Sequence, residues 1–527
     1  MAYLPTPHLL HLQSHGFIRG HLLTSPTTHR PLCTYYGGVP YALPPTGEFR
    51  WQVPRALPPC YAYGTRNAPG EFTEGCGVCP QVGGEGEQEQ EEDCLGCNVW
   101  VPVGEAPVGG WPVLFYIHGG FLQFGDPNSG DVVPLISETE VKCIIVKPGY
   151  RLNVFGFLSL EHARPEGSNS IASNFGLWDQ RMALMWTYKN ISYFGGDPAN
   201  ITLAGYSAGA YSAFHQLAYD LWQPQQLIRR CIMWSNGPGI QPRPPSEGHT
   251  QFNELLTALQ IPTTLDIETQ IQKLRAASPS ALLTATRAIQ RHQFRPVTDG
   301  RFVRRELFAD IDRGEFAARM QRRNIALMIG ECEHERHVYG TYIPPANSYI
   351  GLRDRLEVDF PGVADRLMGY YFPAKRLPAQ WGDWREAFGA VYADVQVYCL
   401  QRGLVARIAR TAPGLVWRYR VEWRAGCVEL PVEWGATHTT DLAIWFWGEG
   451  RLTGREKRVV EEGFVRGLAA FVTGKEGGWG TRTEREVRRL RADGRVEIWL
   501  DEEWDRGVEL WELLRSGDVG TTARANL

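Results

Sequence analysis

The sequence predicts an α/β fold: a large, mostly parallel sheet flanked by helices. Two observations carry this. Short apolar runs bounded by turn signals recur along the first two-thirds of the 527 residues, as buried strands of a parallel sheet do. Helical segments lie between them, and strand–helix–strand alternation is the mark of such a sheet. No internal repeat or convincing linker interrupts the pattern, so residues 1–527 are read as one domain. A hydrophobic fraction of 43% and an aromatic fraction of 12% can supply a large core.

In order, the strand runs are Val113–Ile117, Cys143–Val146, Ile201–Gly205, Cys231–Trp234 and Ile325–Gly330. Between the second and third, Trp178, Met182, Met185 and Trp186 fall at the spacing of one helix face. Residues of about 240–320 look helical and could insert over a site as a lid. A late helix opens with a capping box, Thr453 and Glu456, and carries Val460, Phe464, Leu468 and Phe471 on one face to Gly474. The acidic stretch of about 81–92 reads as a mobile loop, and about 518–527 as a disordered tail.

Charge excludes some functions. Lys and Arg (54) nearly balance Asp and Glu (58), and no basic patch with interleaved aromatics stands out, so nucleic acid is not an expected partner. The N-terminus lacks a basic region followed by a long apolar run, and no apolar run is long enough for a membrane span. A cytoplasmic protein is the expectation. Its 11 cysteines should then be mostly free thiols. Cys76, Cys79, Cys94 and Cys97 form two CxxC pairs whose spacing resembles a zinc site. The preferred reading is a loop with incidental free cysteines, with zinc and a disulfide as the alternatives. No cofactor and no metal are expected.

The chemistry is carried by Gly205-Tyr206-Ser207-Ala208-Gly209. An apolar strand runs into it and a small-residue helix follows, the context that a G-x-S-x-G nucleophile elbow requires. A sharp turn needs the glycines and lifts Ser207, whose hydroxyl is a weak nucleophile until a base takes its proton. His118-Gly119-Gly120-Phe121 follows a strand directly, as an oxyanion loop does. Gly119, Gly120 and Ala208 would donate N–H groups to the oxyanion, with His118 a structural residue of the loop. His438, late in the chain in a polar turn, is the candidate base, since the order in α/β-hydrolases is Ser, acid, His. The acid should follow a buried strand between them, and Glu331, Glu333 and Glu335 all qualify. Phe121, Phe124 and Tyr206 are candidate substrate contacts. Trp178 could be lining or core.

Four segments resemble the type-B carboxylesterases, the family of cholinesterases and fungal intracellular esterases. FGGDPANITLAGYSAG (Phe194–Gly209) is similar to the family's serine signature. EDCLGCNVWVP (Glu92–Pro102), YYGGVPYALPPTGEFRW and SNFGLWDQRMALMW resemble three others. The resemblance implies an α/β-hydrolase fold with helical insertions covering the site, and an acid at Glu335 within Gly330–Tyr339. It implies ion pairs Arg50–Glu92 and Arg151–Asp179, and Ser235 supporting the acid. Cys94 is a disulfide partner in secreted relatives. Tyr206 stands where cholinesterases carry Glu, which points away from choline esters. Arg336 replaces the glycine usual after the acid.

The function so implied is hydrolysis of a small to medium apolar carboxylic ester through an acyl-enzyme. One alternative is the same triad serving acyl transfer, lactone opening or cyclisation of a natural product. The other is a non-catalytic adhesion or scaffold protein, which would usually lack the serine or histidine kept here.

Overall fold

The computed structural model describes residues 3–82, 90–163, 172–475 and 479–515. The principal strands are β1 (Leu4–His11), β2 (Phe17–Thr24), β3 (Pro31–Pro40), β4 (Gly96–Pro102), β5 (Trp111–Ile117) and β6 (Ile144–Pro148). They continue with β7 (Gly196–Tyr206), β8 (Arg230–Trp234), β9 (Ala326–Cys332), β10 (Val416–Val421), β11 (Glu486–Leu490) and β12 (Val496–Leu500). All join one sheet in the order β1-β2-β3-β4-β6-β5-β7-β8-β9-β10-β11-β12, with Gly70–Glu71 beside β2. From β6 to β11 every pairing is parallel. The flanking pairings are antiparallel. The sheet is therefore mixed, with a parallel centre.

The order reverses beside β5. The chain leaves β5 for β6 on one side and returns to β7 on the other. At such a switch point the loops after the two neighbouring strands diverge and leave a crevice at the strands' C-terminal ends. The loops after β5 and β7 are the two that carry the glycine motifs.

All five anticipated strands form, four within two residues of their apolar runs at each end, while β7 starts five residues before Ile201. Their side chains are almost wholly buried, as in Val113, Leu114, Ile144, Ile145, Ile201, Leu203, Ile232 and Ile329. The late helix also forms: Thr453 accepts from the Glu456 N–H, the reciprocal bond is present, and Gly474 ends it at φ 73°. Between 240 and 320 lie Pro245–Ala258, Ile267–Ala276, Pro279–Ala288 and Leu307–Asp312.

The helix Phe175–Asn190 departs from its expected face. Trp186 is buried, but Met185 is 37% exposed. The helix is enclosed on several sides and buries polar groups instead: Asp179 pairs with Arg151 at 2.7 Å and Arg181 with Asp220 at 2.9 Å. The Arg50–Glu92 pair also forms, with a 2.7 Å hydrogen bond from Nε.

The cysteine expectation is corrected. Cys79 and Cys94 form a disulfide with Cα atoms 5.2 Å apart, while Cys76 and Cys97 are free and buried. Among the described residues no group of three or more His, Cys, Asp or Glu gathers as metal ligands would. A disulfide belongs to oxidising compartments, which runs against the expected cytoplasmic location. No helix among the described residues is long and apolar enough to cross a membrane. Most of the acidic loop (83–89) and the tail (516–527) lie outside the described residues.

The disulfide spans a sequence separation of 15, and closing a loop of that size stabilises by about 3 kcal/mol in the chain-entropy account. Dithiothreitol should therefore lower the denaturant midpoint of the parent by about 2–4 kcal/mol equivalent and leave a Cys79→Ser, Cys94→Ser double variant unchanged. An equal response of both proteins would refute the bond's role.

Candidate active site

Strand β7 ends at Tyr206, and a helix starts at Ala208. Ser207 alone makes the turn, at φ 56° and ψ −124°, a region that costs a non-glycine residue energy. The turn closes because its neighbours lack side chains. A Cβ on Gly205 would lie 2.1 Å from the Gly209 carbonyl oxygen, and one on Gly209 would lie 2.0 Å from that of Ile117. The Ser207 N–H donates to Trp234 O on β8 (2.9 Å), and Asn236 Nδ2 donates to Ser207 O (2.9 Å). The strain is thus held by hydrogen bonds from the next strand and its loop.

Ser207 Oγ lies 2.9 Å from His438 Nε2, and His438 Nδ1 lies 2.6 Å from Glu335 Oε2. Glu335 sits just past β9 and is wholly buried. Its other oxygen accepts the Cys332 N–H at 2.8 Å, and its own N–H donates to the Tyr398 hydroxyl at 2.8 Å. Burial pushes its carboxyl above the usual range, and His438 pulls it back. The competing glutamates go elsewhere. Glu331 is bound by Arg402 and Arg420, each at 2.8 Å. Glu333 is partly exposed beside His334. Arg336 opens the short helix Arg336–Thr341 and leaves Glu335 in reach of His438.

Two expected roles are corrected at Asp441, a wholly buried carboxylate that sequence reasoning passed over. Tyr206 is not a wall of the cleft. Its side chain turns into the core, where its hydroxyl donates to Asp441 Oδ1 and accepts the Thr439 N–H, both at 2.7 Å. Ser235 Oγ donates to Asp441 Oδ2 at 3.2 Å, so it supports this carboxylate and not Glu335. Trp445 Nε1 adds a third donor at 3.0 Å. Thr439 follows His438 in a left-handed conformation (φ 76°), which the Tyr206 hydroxyl holds. The signal was local: an Asp three residues beyond the candidate base, just before an apolar run.

The loop after β5 lies against the nucleophile turn. A Cβ on Gly119 would fall 2.8 Å from Tyr206 O and 3.0 Å from Ser207 Cβ. Gly120 has φ 105° and presses on the Phe124 carbonyl. Burial pushes His118 down to about 4, so it is neutral near pH 7. Its Nδ1 lies 2.8 Å from Gly119 O, and its ring stacks on Tyr150. It shapes the loop, as expected. Ala208 begins a helix, so its N–H has no intrahelical acceptor.

A narrow cleft lies beside Ser207 and Ala208, walled by Phe121, Tyr211, Tyr339 and Tyr392 and by the polar Asn236, Arg295 and Gln396. Phe121 is in place, stacked on Tyr342 at 3.7 Å. Phe124 is not a wall; it packs behind Phe121 at 6.0 Å. Trp178 lies against Tyr219 and Phe302, away from the cleft. Nothing in the sequence marked Arg295 or Tyr339.

The chain is similar to known proteins over nearly its whole length. Residues 7–476 match the Carboxylesterase family. A "Carboxylic ester hydrolase" of Gibberella moniliformis is 43% identical over 546 residues, covering 99% of each chain. An "Uncharacterized esterase/lipase" of Schizosaccharomyces pombe is 34% identical over 96% of each. The crystal structure of Aspergillus niger EstA superposes with a TM-score of 0.77 over 97% of this chain and 99% of that one, at 22% identity, and so speaks for the α/β-hydrolase fold. The extent of the match and the shared fold make this chain a member of the carboxylesterase family.

Proposed function

We propose that the protein hydrolyses a carboxylic ester through an acyl-enzyme on Ser207. The observation that carries the reading is the unbroken chain Ser207 Oγ, His438, Glu335, with contacts of 2.9 and 2.6 Å. His438 takes the Ser207 proton as Oγ attacks the ester carbonyl. Glu335 fixes the imidazole tautomer and stabilises the charged ring. The N–H groups of Gly119, Gly120 and Ala208 receive the oxyanion, each such donor contributing about 10²–10³ in rate. His438 then protonates the leaving alcohol, and a water activated by the same ring releases the acid. The polar groups among the cleft's walls favour a substrate with a polar portion over the small to medium apolar one expected from sequence. The family, and the 43% identical relative named a carboxylic ester hydrolase, support hydrolysis. Transfer of the acyl group to another acceptor has no observation in its favour.

Ser207→Ala should lower turnover of p-nitrophenyl butyrate by about 10⁴ or more and abolish labelling by a fluorophosphonate probe, with circular dichroism unchanged. Retained turnover in that variant would refute the reading. Tyr206→Phe removes the hydroxyl that holds Thr439 and Asp441. It leaves a buried N–H and carboxylate oxygen short of a partner, so kcat should fall about tenfold, with KM little changed. An unaltered kcat would remove Tyr206 from the support of the base.

A further inference from the structure

The cleft beside Ser207 has a neighbour, and Tyr211, Arg295 and Gln396 are walls of both. Arg243 and Asp359 line the second cleft. Arg295 donates through Nη2 to Asp359 (2.8 Å) and to the Tyr392 hydroxyl (2.9 Å). Its Nε is buried without a hydrogen-bond partner among the described residues. The same is true of Arg243 Nε, whose Nη2 reaches only the neutral Gln251 amide. Asp359 is shared, since Arg355 also pairs with it. Two guanidiniums, Arg295 and Arg355, therefore share one carboxylate, and the acids that act on Arg243 are Glu247 and Glu254. Glu247, on the helix that follows Arg243, is the next acidic group; burial raises its carboxyl above the usual range. Burial, with Arg295 among the like charges, brings Arg243 down to about 10, still charged at neutral pH.

A buried guanidinium donor with no acceptor is costly, and a carboxylate is the acceptor whose geometry fits a guanidinium fork. The cleft holds Ser207 and Ala208 but not His438 among its walls. The leaving alcohol takes its proton from His438, so this side of Ser207 belongs to the acyl group. We infer that the preferred substrate is a half-ester of a dicarboxylic acid, whose free carboxylate is bound by Arg295, with Arg243 in the adjoining cleft. This rests on the esterase reading above. Attack forms the bond from Ser207 Oγ to the acyl carbon and releases the alcohol; water then frees the dicarboxylate. The distal carboxylate takes no part in bond making.

The test compares kcat/KM of the full chain, by pH-stat, on matched pairs: monoethyl succinate against ethyl butyrate, monoethyl glutarate against ethyl pentanoate, and monoethyl adipate against ethyl hexanoate. At least one half-ester should be preferred by about tenfold or more. In Arg295→Gln that preference ratio should collapse. Because this variant can disturb Asp359, the parent gives an independent readout: free succinate, glutarate or adipate should inhibit p-nitrophenyl butyrate turnover competitively and at lower concentration than the matching monoacid. Preference for the neutral ester in every pair, or an unchanged ratio in Arg295→Gln, overturns the carboxylate subsite and leaves the esterase reading standing. Turnover of neither series overturns the esterase reading, and the subsite with it.

Discussion

Gly205, Gly209 and Ile117 meet so closely that no side chain fits between them, and this backbone contact sets the geometry of the site. It lets β7 turn into its helix within one residue and forces Ser207 to φ 56°. The helix then directs its first N–H groups at the space above β7. The reversal of strand order beside β5 brings the Gly119–Gly120 loop to the same space. Neither loop could approach if either glycine carried a Cβ, because the clashes are with backbone atoms, which cannot rotate away.

Around that rigid turn His438 and its loop are held by two buried carboxylates with different duties. Glu335 faces the imidazole, and its carboxylate meets His438 and the Cys332 N–H. Its carboxyl is raised by burial, which makes the charge on His438 matter more to it. Asp441 does not touch the ring. Tyr206, Ser235 and Trp445 saturate it, and it fixes the backbone on which His438 stands. A buried charge with this many donors is stable enough to serve as an anchor. Tyr206 thus works beside the nucleophile as a strut from β7 to the base loop.

The central strands were legible because they are buried on both sides and read as continuous apolar runs. Strand β10 was not, because Arg418 and Arg420 interrupt it. Both are charges whose partners, Asp501 and Glu331, lie far away in sequence. Strand β1 was missed because its edge position leaves it largely exposed, with no apolar alternation to see. In the site, Ser207, Gly119 and Gly120 were readable because their motifs encode local backbone geometry. Glu335 needed the family resemblance, since three nearby glutamates had equal local claims. Arg295 and Tyr398 act through partners distant in the chain, while Asp441 had a local cue, three residues past His438, that the search for an acid before His438 passed over. The Cys79–Cys94 bond was missed because the reading leaned on compartment, whereas spatial proximity decides pairing.

In the proposed mechanism Ser207 carries the acyl group between two half-reactions driven by His438. This is tested most directly by quenching the enzyme with acid milliseconds after mixing with p-nitrophenyl butyrate, then mapping peptides by mass spectrometry. The account predicts a butyryl adduct on the peptide containing Ser207, formed in a burst equal to the enzyme concentration. A burst with the adduct on another residue, or turnover with no adduct and no burst in conditions where deacylation is slowed, would contradict it.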